Sequence, residues 1–160
     1  MADLTQYTGT WTIDPTHTRL GFVARHAMVT KVRGSFTEFS GSLTLDGANP
    51  SASSAEVTVQ MASVDSGTAD RDAHLTSPDF FNVEAFPTMT FTSTAVKQDG
   101  DEFVLVGDLT IKDVTRPVEI EVELDGIVTD PWGNTRAGFA GETEISRKDF
   151  GLTWNVPLDG

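Results

Sequence analysis

Charge, imidazole and bulky aromatic rings are crowded into one stretch of the chain, residues 65–87, DSGTADRDAHLTSPDFFNVEAFP. In order, the groups that could do chemistry there are Arg71, Asp72, His74, the pair Ser77–Pro78 and the pair Phe80–Phe81. Serine before proline predicts a helix start, since the serine oxygen can cap free amides and proline tolerates the first helical position. The stretch therefore predicts one or two short helical segments that cross a structure made of strands.

These residue types could support catalysis or hold a metal, but their spacing favours neither. A zinc site needs three or four ligands at about 2.0–2.3 Å, and His17, His26 and His74 show neither HxH nor HExxH spacing. The sequence also lacks a GxSxG elbow and a glycine-rich phosphate loop. No catalytic residue, cofactor or metal is therefore expected. An enzyme that uses the histidine and acid cluster on a bound apolar substrate is the alternative.

The composition predicts one globular domain over residues 1–160 and excludes several partners. A formal net charge of −13 argues against nucleic acid and against stable docking on anionic membranes, because both are bound by Lys and Arg. No apolar run approaches the roughly 18–20 residues of a membrane span. The first residues, MADLTQYTGTW, lack the basic start and apolar core of a secretory signal. We expect a cytoplasmic protein, or a periplasmic one if a leader was removed.

Apolar and polar residues alternate along most of the chain, which predicts strands with one face in water. The clearest case is 117–124, where valine, isoleucine and leucine alternate with three glutamates. Residues 28–33 break the period and predict a turn or coil. Phe36 is out of step with the strand that follows it, which indicates a β-bulge near residues 37–38. We predict an all-β fold, an extended antiparallel eight-stranded barrel, because closure removes exposed strand edges.

The inside of this barrel is the remaining place for a function. A barrel of about eight strands is wide enough to be filled by its own side chains or to hold one small ligand. Gly41 and Gly107 fall in the inward series, and glycine there is expected to leave room. Filled core and ligand cavity are equally favoured by these inward residues: Leu20, Phe22, Phe39, Leu43, Val59, Met61, Phe91, Leu105, Leu109 and Phe139.

Eight motifs in register, from position 11 to position 154, make the chain resemble the YceI-like family. They are WxIDxxH at 11–17, FxxxH at 22–26, GxFxxFxG at 34–41, RDxHLxSxDFF at 71–81, FPxMTF at 86–91, GDLTIKDVTRPV at 107–118, WG at 132–133 and RKDFG at 147–151. The resemblance implies a lipocalin-like barrel that binds a polyisoprenoid or related amphiphilic lipid in an apolar tunnel, without catalysis and often as a homodimer. Isoprenoid quinones, prenyl precursors and fatty-acid derivatives are all consistent with it.

On this resemblance, two sets of residues are expected to contact the lipid. The tunnel would be lined by the ten inward residues named above together with His26, Phe36, Phe80, Phe81 and Trp154. A polar head would need donors at the mouth, and the candidates are Arg25, Arg33, Arg71 and His74. The competing interpretation is that Arg71 and Asp72 pin the crossing segment to the barrel through paired hydrogen bonds. A filled barrel in a dimeric structural or stress protein is a third hypothesis.

Overall fold

In the computed structural model, ten strands and one α-helix account for most of the described residues, which are 5–14, 16–26, 30–78, 80–100, 102–145 and 150. Single 3₁₀ turns occur at Thr5–Tyr7, Pro50–Ala52 and Met61–Ser63. The helix is α1 (Ala69–Thr76). The strands are β1 (Gly9–Thr12), β2 (Leu20–His26), β3 (Thr30–Phe36), β4 (Phe39–Leu45), β5 (Ser54–Gln60), β6 (Val64–Asp65), β7 (Thr88–Asp99), β8 (Glu102–Ile111), β9 (Val114–Thr129) and β10 (Thr135–Glu142).

The strands form two sheets, and every strand pair in them is antiparallel. Seven strands follow the order β1-β4-β5-β7-β8-β9-β10, and this sheet curls into a half-barrel. The order β2-β3-β6 gives the smaller three-stranded sheet. The predicted all-β antiparallel class is confirmed, with the described strands divided between a curled large sheet and a small one.

Strand β9 shows why the large sheet has two unlike faces. Its apolar side chains at 118, 120, 122 and 124 are half-buried, whereas Glu119, Glu121 and Glu123 are exposed. The predicted alternation over 117–124 is therefore confirmed. The strand continues to Thr129 because its pairing with β10 skips Asp125, which lets the ladder bend and resume.

A bulge interrupts the large sheet beside Gly107. Pairing between β7 and β8 skips Thr94, directly after the pair Ser93 and Gly107. A bulge bends its strand and increases the local twist, and a strand glycine permits a tight bend. The ring of Phe91 lies over the same glycine, since its Cζ would be 2.7 Å from a Cβ built at Gly107.

The expectation that Gly41 and Gly107 leave room inside the barrel was wrong. The space beside each glycine is occupied by a neighbouring side chain. The Cδ1 atom of Ile13 would lie 2.5 Å from a Cβ at Gly41, and the ring of Phe91 covers Gly107. Glycine is required at both positions because the neighbouring apolar groups are already in contact with the backbone.

The prediction of a turn or coil over residues 28–33 was wrong for residues 30–33, because β3 begins at Thr30, and residues 28–29 lie outside the described residues. Its seven residues pair with β2 from Leu20–Phe36 to His26–Thr30, and this cross-strand pairing overrides the weak local pattern. The predicted bulge at residues 37–38 is instead the junction at which the chain passes from the small sheet to the large one. Phe36 is out of step with β4 because it belongs to a different sheet.

The crossing segment, residues 65–87, which we call the crossover, carries one helix, and one or two were predicted. Ser77–Pro78 ends this helix instead of starting another. Ser77 donates to the carbonyl oxygen of His74 from its backbone N–H at 3.1 Å and from Oγ at 2.5 Å. The N–H groups of Phe81 and Val83 donate to Leu75 and Thr76 carbonyl oxygens, each at 3.0 Å. The following turn therefore satisfies the last carbonyls of α1, which a helix end requires.

Replacing Gly107 by alanine should destabilise the fold. The new Cβ would lie 2.5 Å from the backbone oxygen of Thr92 and 2.8 Å from the Cα of Ser93, so the strands themselves must shift. We expect a loss of about 1–3 kcal/mol in the free energy of unfolding, measured by urea denaturation. Gly126→Ala is the matched control, since a Cβ at Gly126 meets nothing within 4 Å. Equal stability of the two variants would contradict the close packing described above.

Candidate functional site

The interior has one tightly packed end, which we call the packed end. Its centre consists of Phe36, Phe39, Val59, Met61 and Val64, and Met61 is only 1% exposed. Partly buried apolar residues from β2, β7 and the crossover surround this centre, with Leu75 of α1 among them. The helix therefore covers a part of the interior that is already filled by side chains from the strands.

The other end is lined by apolar side chains that stay partly accessible, and we call it the open end. Only Leu45, Val96 and Phe103 of its described cluster are buried. Phe139 on β10 is 46% exposed, and its ring centroid lies 6.4 Å from that of Phe103. The half-buried members are Tyr7, Trp11, Leu43, Leu105, Val122, Leu124 and Ile127. An accessible apolar wall on the concave face of a sheet can bind an apolar ligand.

A groove of about 590 Å³ lies where β1 approaches β9 and β10, within the usual range of ligand sites, roughly 300–1,000 Å³. It is lined by residues 6–11, 127–129 and 135. Tyr7, Trp11 and Ile127 belong both to the groove and to the open end. Thr8, Thr10, Thr129 and Thr135 add hydroxyl groups, so the groove joins the apolar wall to a polar rim.

The tryptophan at this junction is held in place by its own neighbours. Trp11 donates from Nε1 to the carbonyl oxygen of Tyr7 at 2.9 Å, and the two rings pack edge to face with centroids 6.2 Å apart. Because the indole N–H is already paired, the remainder of the ring is apolar surface.

Arg136 joins the segment that follows β1 to the β9–β10 hairpin by binding Asp14 and Asp130, and we call these three residues the clasp. Its Nη1 donates to Oδ2 of Asp14, which follows β1, and its Nε donates to Oδ2 of Asp130 at 2.9 Å. His17 Nδ1 is 2.8 Å from the same Asp14 oxygen. The hydrogen bonds from His17 and then Arg136 lower the pKa of Asp14 to about 2.

Asp130 organises the hairpin turn as well as the clasp. Its Oδ1 accepts hydrogen bonds from the backbone N–H groups of Trp132 and Asn134, each at 2.9 Å. These contacts, led by Asn134, lower the pKa of Asp130, and hydrogen bonds to Asp130 and Asp14 raise the pKa of Arg136. The clasp thus joins the same two elements that form the walls of the groove.

The predicted tunnel residues are divided between regions of the interior. Phe36, Phe39, Val59 and Met61, with Leu20, Phe22 and Phe81 around them, lie at the packed end. Leu43 and Leu105 line the open end next to Phe139, and Leu109 packs with Ile111 and Phe150. Phe91 lies between the two ends. Trp154 and the side chain of His26 lie outside the described residues.

The adjacent aromatic pair in the crossover has two separate contacts. The Phe81 ring centroid is 6.3 Å from that of Phe36 in the packed end, whereas Phe80 packs against the His74 ring at 5.1 Å. Phe81 therefore packs into the interior, whereas Phe80 packs on the helix that precedes it.

The head-group candidates are not gathered at the groove. Arg71 and His74 are carried by α1 over the packed end, and Arg33 is exposed on β3 of the small sheet. The side chain of Arg25 lies outside the described residues. Asp72 Oδ1 accepts hydrogen bonds from the Ser66 backbone N–H at 2.8 Å and from Ser66 Oγ at 2.6 Å. Both residues belong to the crossing segment, so the pinning of this segment to the barrel by Arg71 and Asp72 stays a prediction.

Sequence reasoning missed the groove and the clasp. Tyr7 and Ile127 fall outside clear alternating segments, so no periodic signal marks them. Trp11 and Asp14 belong to the WxIDxxH motif, which was the available signal. The partner of Asp14 is 122 positions away, beyond the reach of any local spacing rule.

The curled antiparallel sheet with an apolar concave face and a groove at one end defines a lipocalin-like barrel protein. A family model described as YceI-like domain matches residues 11–160, and the chain belongs to this family. It is 46% identical over 140 residues to Protein YceI of Salmonella newport strain SL254, covering 88% of this chain and 73% of that protein. The predicted family is confirmed.

Solved structures support the same fold. Burkholderia cenocepacia BcnA superposes with a TM-score of 0.80 at 25% identity, covering 89% of this chain and 86% of that one. Campylobacter jejuni YCEI gives 0.71 at 33% identity, with 88% and 83% covered. A polyisoprenoid binding domain from Saccharophagus degradans, implicated in plant cell wall breakdown, gives 0.55 at 17% identity over 73% and 67%. The predicted lipocalin-like fold is confirmed.

Neither a metal-binding cluster nor a membrane-spanning helix is found in the described part of the chain. No group of three or more His, Asp or Glu side chains there is arranged to hold a metal ion. Among the same residues, no helix is long and apolar enough to cross a membrane.

Because of the clasp, the free energy of unfolding should depend on pH in the acidic range. The folded pKa of Asp14 lies below its ordinary 3.8, at about 2, so the ionised carboxylate stabilises the fold above that range and loses this effect as pH falls through it. We expect Asp14→Asn to be less stable than wild type at neutral pH and to lose less stability on acidification, measured by urea denaturation. Asp108→Asn, an exposed change on β8, is the control. Parallel pH profiles for Asp14→Asn and wild type would contradict the clasp.

Proposed function

We propose that this protein binds an isoprenoid-like lipid, with the apolar chain in the open end and the polar head at the groove. The observation that carries the proposal is the accessible apolar wall of Leu43, Leu105, Leu124 and Phe139, which continues into a groove with a polar rim. Apolar surface exposed to water is unfavourable, and an apolar ligand that covers it removes that cost.

The physics of such a site accounts for affinity without directional contacts. Each buried CH₂-sized unit contributes roughly 0.8 kcal/mol, so a chain a few units long binds measurably. The hydroxyl groups of Thr10, Thr129 and Thr135 and backbone groups of β1 can pair with a hydroxyl or carbonyl head. Their neutrality favours an uncharged head over a pyrophosphate.

The relatives support a binding role. The Saccharophagus degradans domain, which shares this fold, is by its name a polyisoprenoid binding domain. Catalysis by the crossover is not favoured, because Asp72 Oδ1 is engaged by Ser66 and the His74 ring packs on Phe80. We therefore propose a carrier or sequestering protein without catalytic activity.

The outer surface fits the same role. Exposed glutamates on the convex face of β9 contribute to the net charge of −13, which disfavours binding to nucleic acid and anionic membranes. A bound lipid would thus be shielded inside an acidic shell.

Phe139→Glu should weaken lipid binding while leaving the fold intact. The side chain is 46% exposed, so the carboxylate remains hydrated in the empty protein but must be desolvated when a lipid covers it. We expect farnesol affinity to fall by about tenfold or more, since unpaired polar burial costs roughly 1–3 kcal/mol. Affinity would be measured by tryptophan fluorescence titration.

Val23→Glu is the matched control, because Val23 is 55% exposed on β2 in the small sheet. Equal loss of affinity in the two variants would contradict the assignment of the site to the open end. Native mass spectrometry of the purified protein tests the proposal itself. Absence of any co-purified lipid, together with no uptake of added farnesol, would reject lipid binding.

A further inference from the structure

We propose that the turn between β9 and β10, led by Trp132, docks the protein on a lipid surface without net charge, such as a phosphatidylcholine bilayer. The residues concerned are 128–135, VTDPWGNT, which we call the hairpin tip. This docking goes beyond the proposed function, because it concerns the outside of the protein and can be measured without any bound prenol. The exposure of Trp132, the local charge and the size of the apolar patch carry it.

Trp132 has the most exposed large apolar side chain in the described part of the chain, at 81%. The turn that carries it is fixed by Asp130, whose Oδ1 accepts hydrogen bonds from the N–H groups of Trp132 and Asn134, each at 2.9 Å. The Asp130 N–H in turn donates to the Asn134 carbonyl oxygen at 2.8 Å. Because the turn already has this order, little conformational entropy is lost when a partner covers the indole ring.

The hairpin tip presents almost no charge to its surroundings. Asp130 is the one charged residue between positions 128 and 135, and its side chain is 8% exposed and accepts from Arg136 Nε at 2.9 Å. Arg136 also binds Asp14, so the charges beside the tip are paired in the clasp. Exposed Asp125 lies earlier on β9, about 13 Å from the strand end at Thr129 by strand rise, which exceeds the Debye length of about 8–10 Å.

The net charge of −13 decides which lipid surface fits. An anionic bilayer attracts Lys and Arg and repels a protein covered by exposed carboxylates such as Glu121 and Glu123 of β9. A bilayer of zwitterionic lipids has no net charge and exerts no such repulsion. The apolar gain from covering Trp132 and Val128, which is 64% exposed, can then act alone.

The apolar patch is too small for a folded protein partner. A standard protein interface uses about 20–30 residues and about 800 Å² on each side, whereas the hairpin tip is one turn with two strand ends. Trp132 and Val128 are its exposed large apolar residues, and their exposed neighbours include Thr129, Asn134 and Thr135. A fluid headgroup layer needs no matching shape, and tryptophan beside polar groups is typical of membrane interfaces.

Docking by the hairpin tip would bring the bilayer next to the groove. Val128, Thr129 and Thr135 belong to the tip and also line the groove. If the proposed function holds, a prenol can pass between the bilayer and the groove without crossing a long path through water.

Trp132→Ser should weaken binding to phosphatidylcholine vesicles. A tryptophan side chain buries much apolar area, so we expect the partition coefficient to fall about tenfold or more. Co-sedimentation of prenol-free protein with sucrose-loaded vesicles measures it. Trp132→Phe keeps an apolar ring and should retain more of the binding than Trp132→Ser. Mixed vesicles of phosphatidylcholine and phosphatidylglycerol should bind wild type more weakly, with a difference that shrinks at high salt.

Val23→Ser is the matched control, because Val23 is 55% exposed on β2 in the small sheet, and it should bind vesicles as wild type does. Absence of wild-type binding to phosphatidylcholine vesicles, or equal binding by wild type and Trp132→Ser, would overturn the docking. An equal loss in Val23→Ser, or equal binding by Trp132→Phe and Trp132→Ser, would also overturn it. Self-association of wild type that Trp132→Ser abolishes, measured by analytical ultracentrifugation, would assign the ring to a second copy instead.

Farnesol titration by calorimetry separates the docking from the proposed function. Trp132 is not among the residues that line the groove, so Trp132→Ser should bind farnesol as wild type does. A loss of farnesol affinity in this variant would place the ring in the ligand site and overturn the docking. Failure of wild type to bind farnesol, with vesicle binding intact, would reject the proposed function alone.

Discussion

The contact between the Phe91 ring and Gly107 is the constraint around which the interior is built. The glycine lets the ring approach the backbone of β8, and the neighbouring bulge at Thr94 bends β7 at the same level. A strand glycine and a neighbouring bulge both permit a bend of the sheet at this level. The concave face is divided at that level into two regions with different roles.

On the proposed function, the two regions separate stability from binding. The packed end, centred on Met61 and Val59, buries its side chains almost completely and is covered by α1. It therefore supplies a large part of the apolar burial that holds the fold together. The open end keeps half-buried apolar groups beside a polar groove, and the clasp of Asp14, Arg136 and Asp130 joins the elements on the two sides of that groove. A ligand site can then remain accessible without loosening the core.

Periodic patterns predicted the fold but not the site. The alternation of β9 and the apolar series that includes Phe91 follow from a two-residue period, which depends only on which face is buried. The sheet change at residues 37–38 and the end of α1 at Ser77 depend on pairing and capping partners elsewhere in the chain. The groove brings Tyr7 next to Ile127, and no local rule relates positions so far apart. Glycine in an inward series was correctly noticed at Gly107, but whether its space is empty depends on the neighbouring strand.

The central claim is that the lipid lies in the open end, between the groove and Phe91. A crystal structure of the protein with bound farnesol tests it most directly. We predict electron density for the prenyl chain against Phe103 and Phe139, with its hydroxyl group near the threonines of the groove. A chain that lies in the packed end around Met61, or one bound outside the concave face, would contradict the claim.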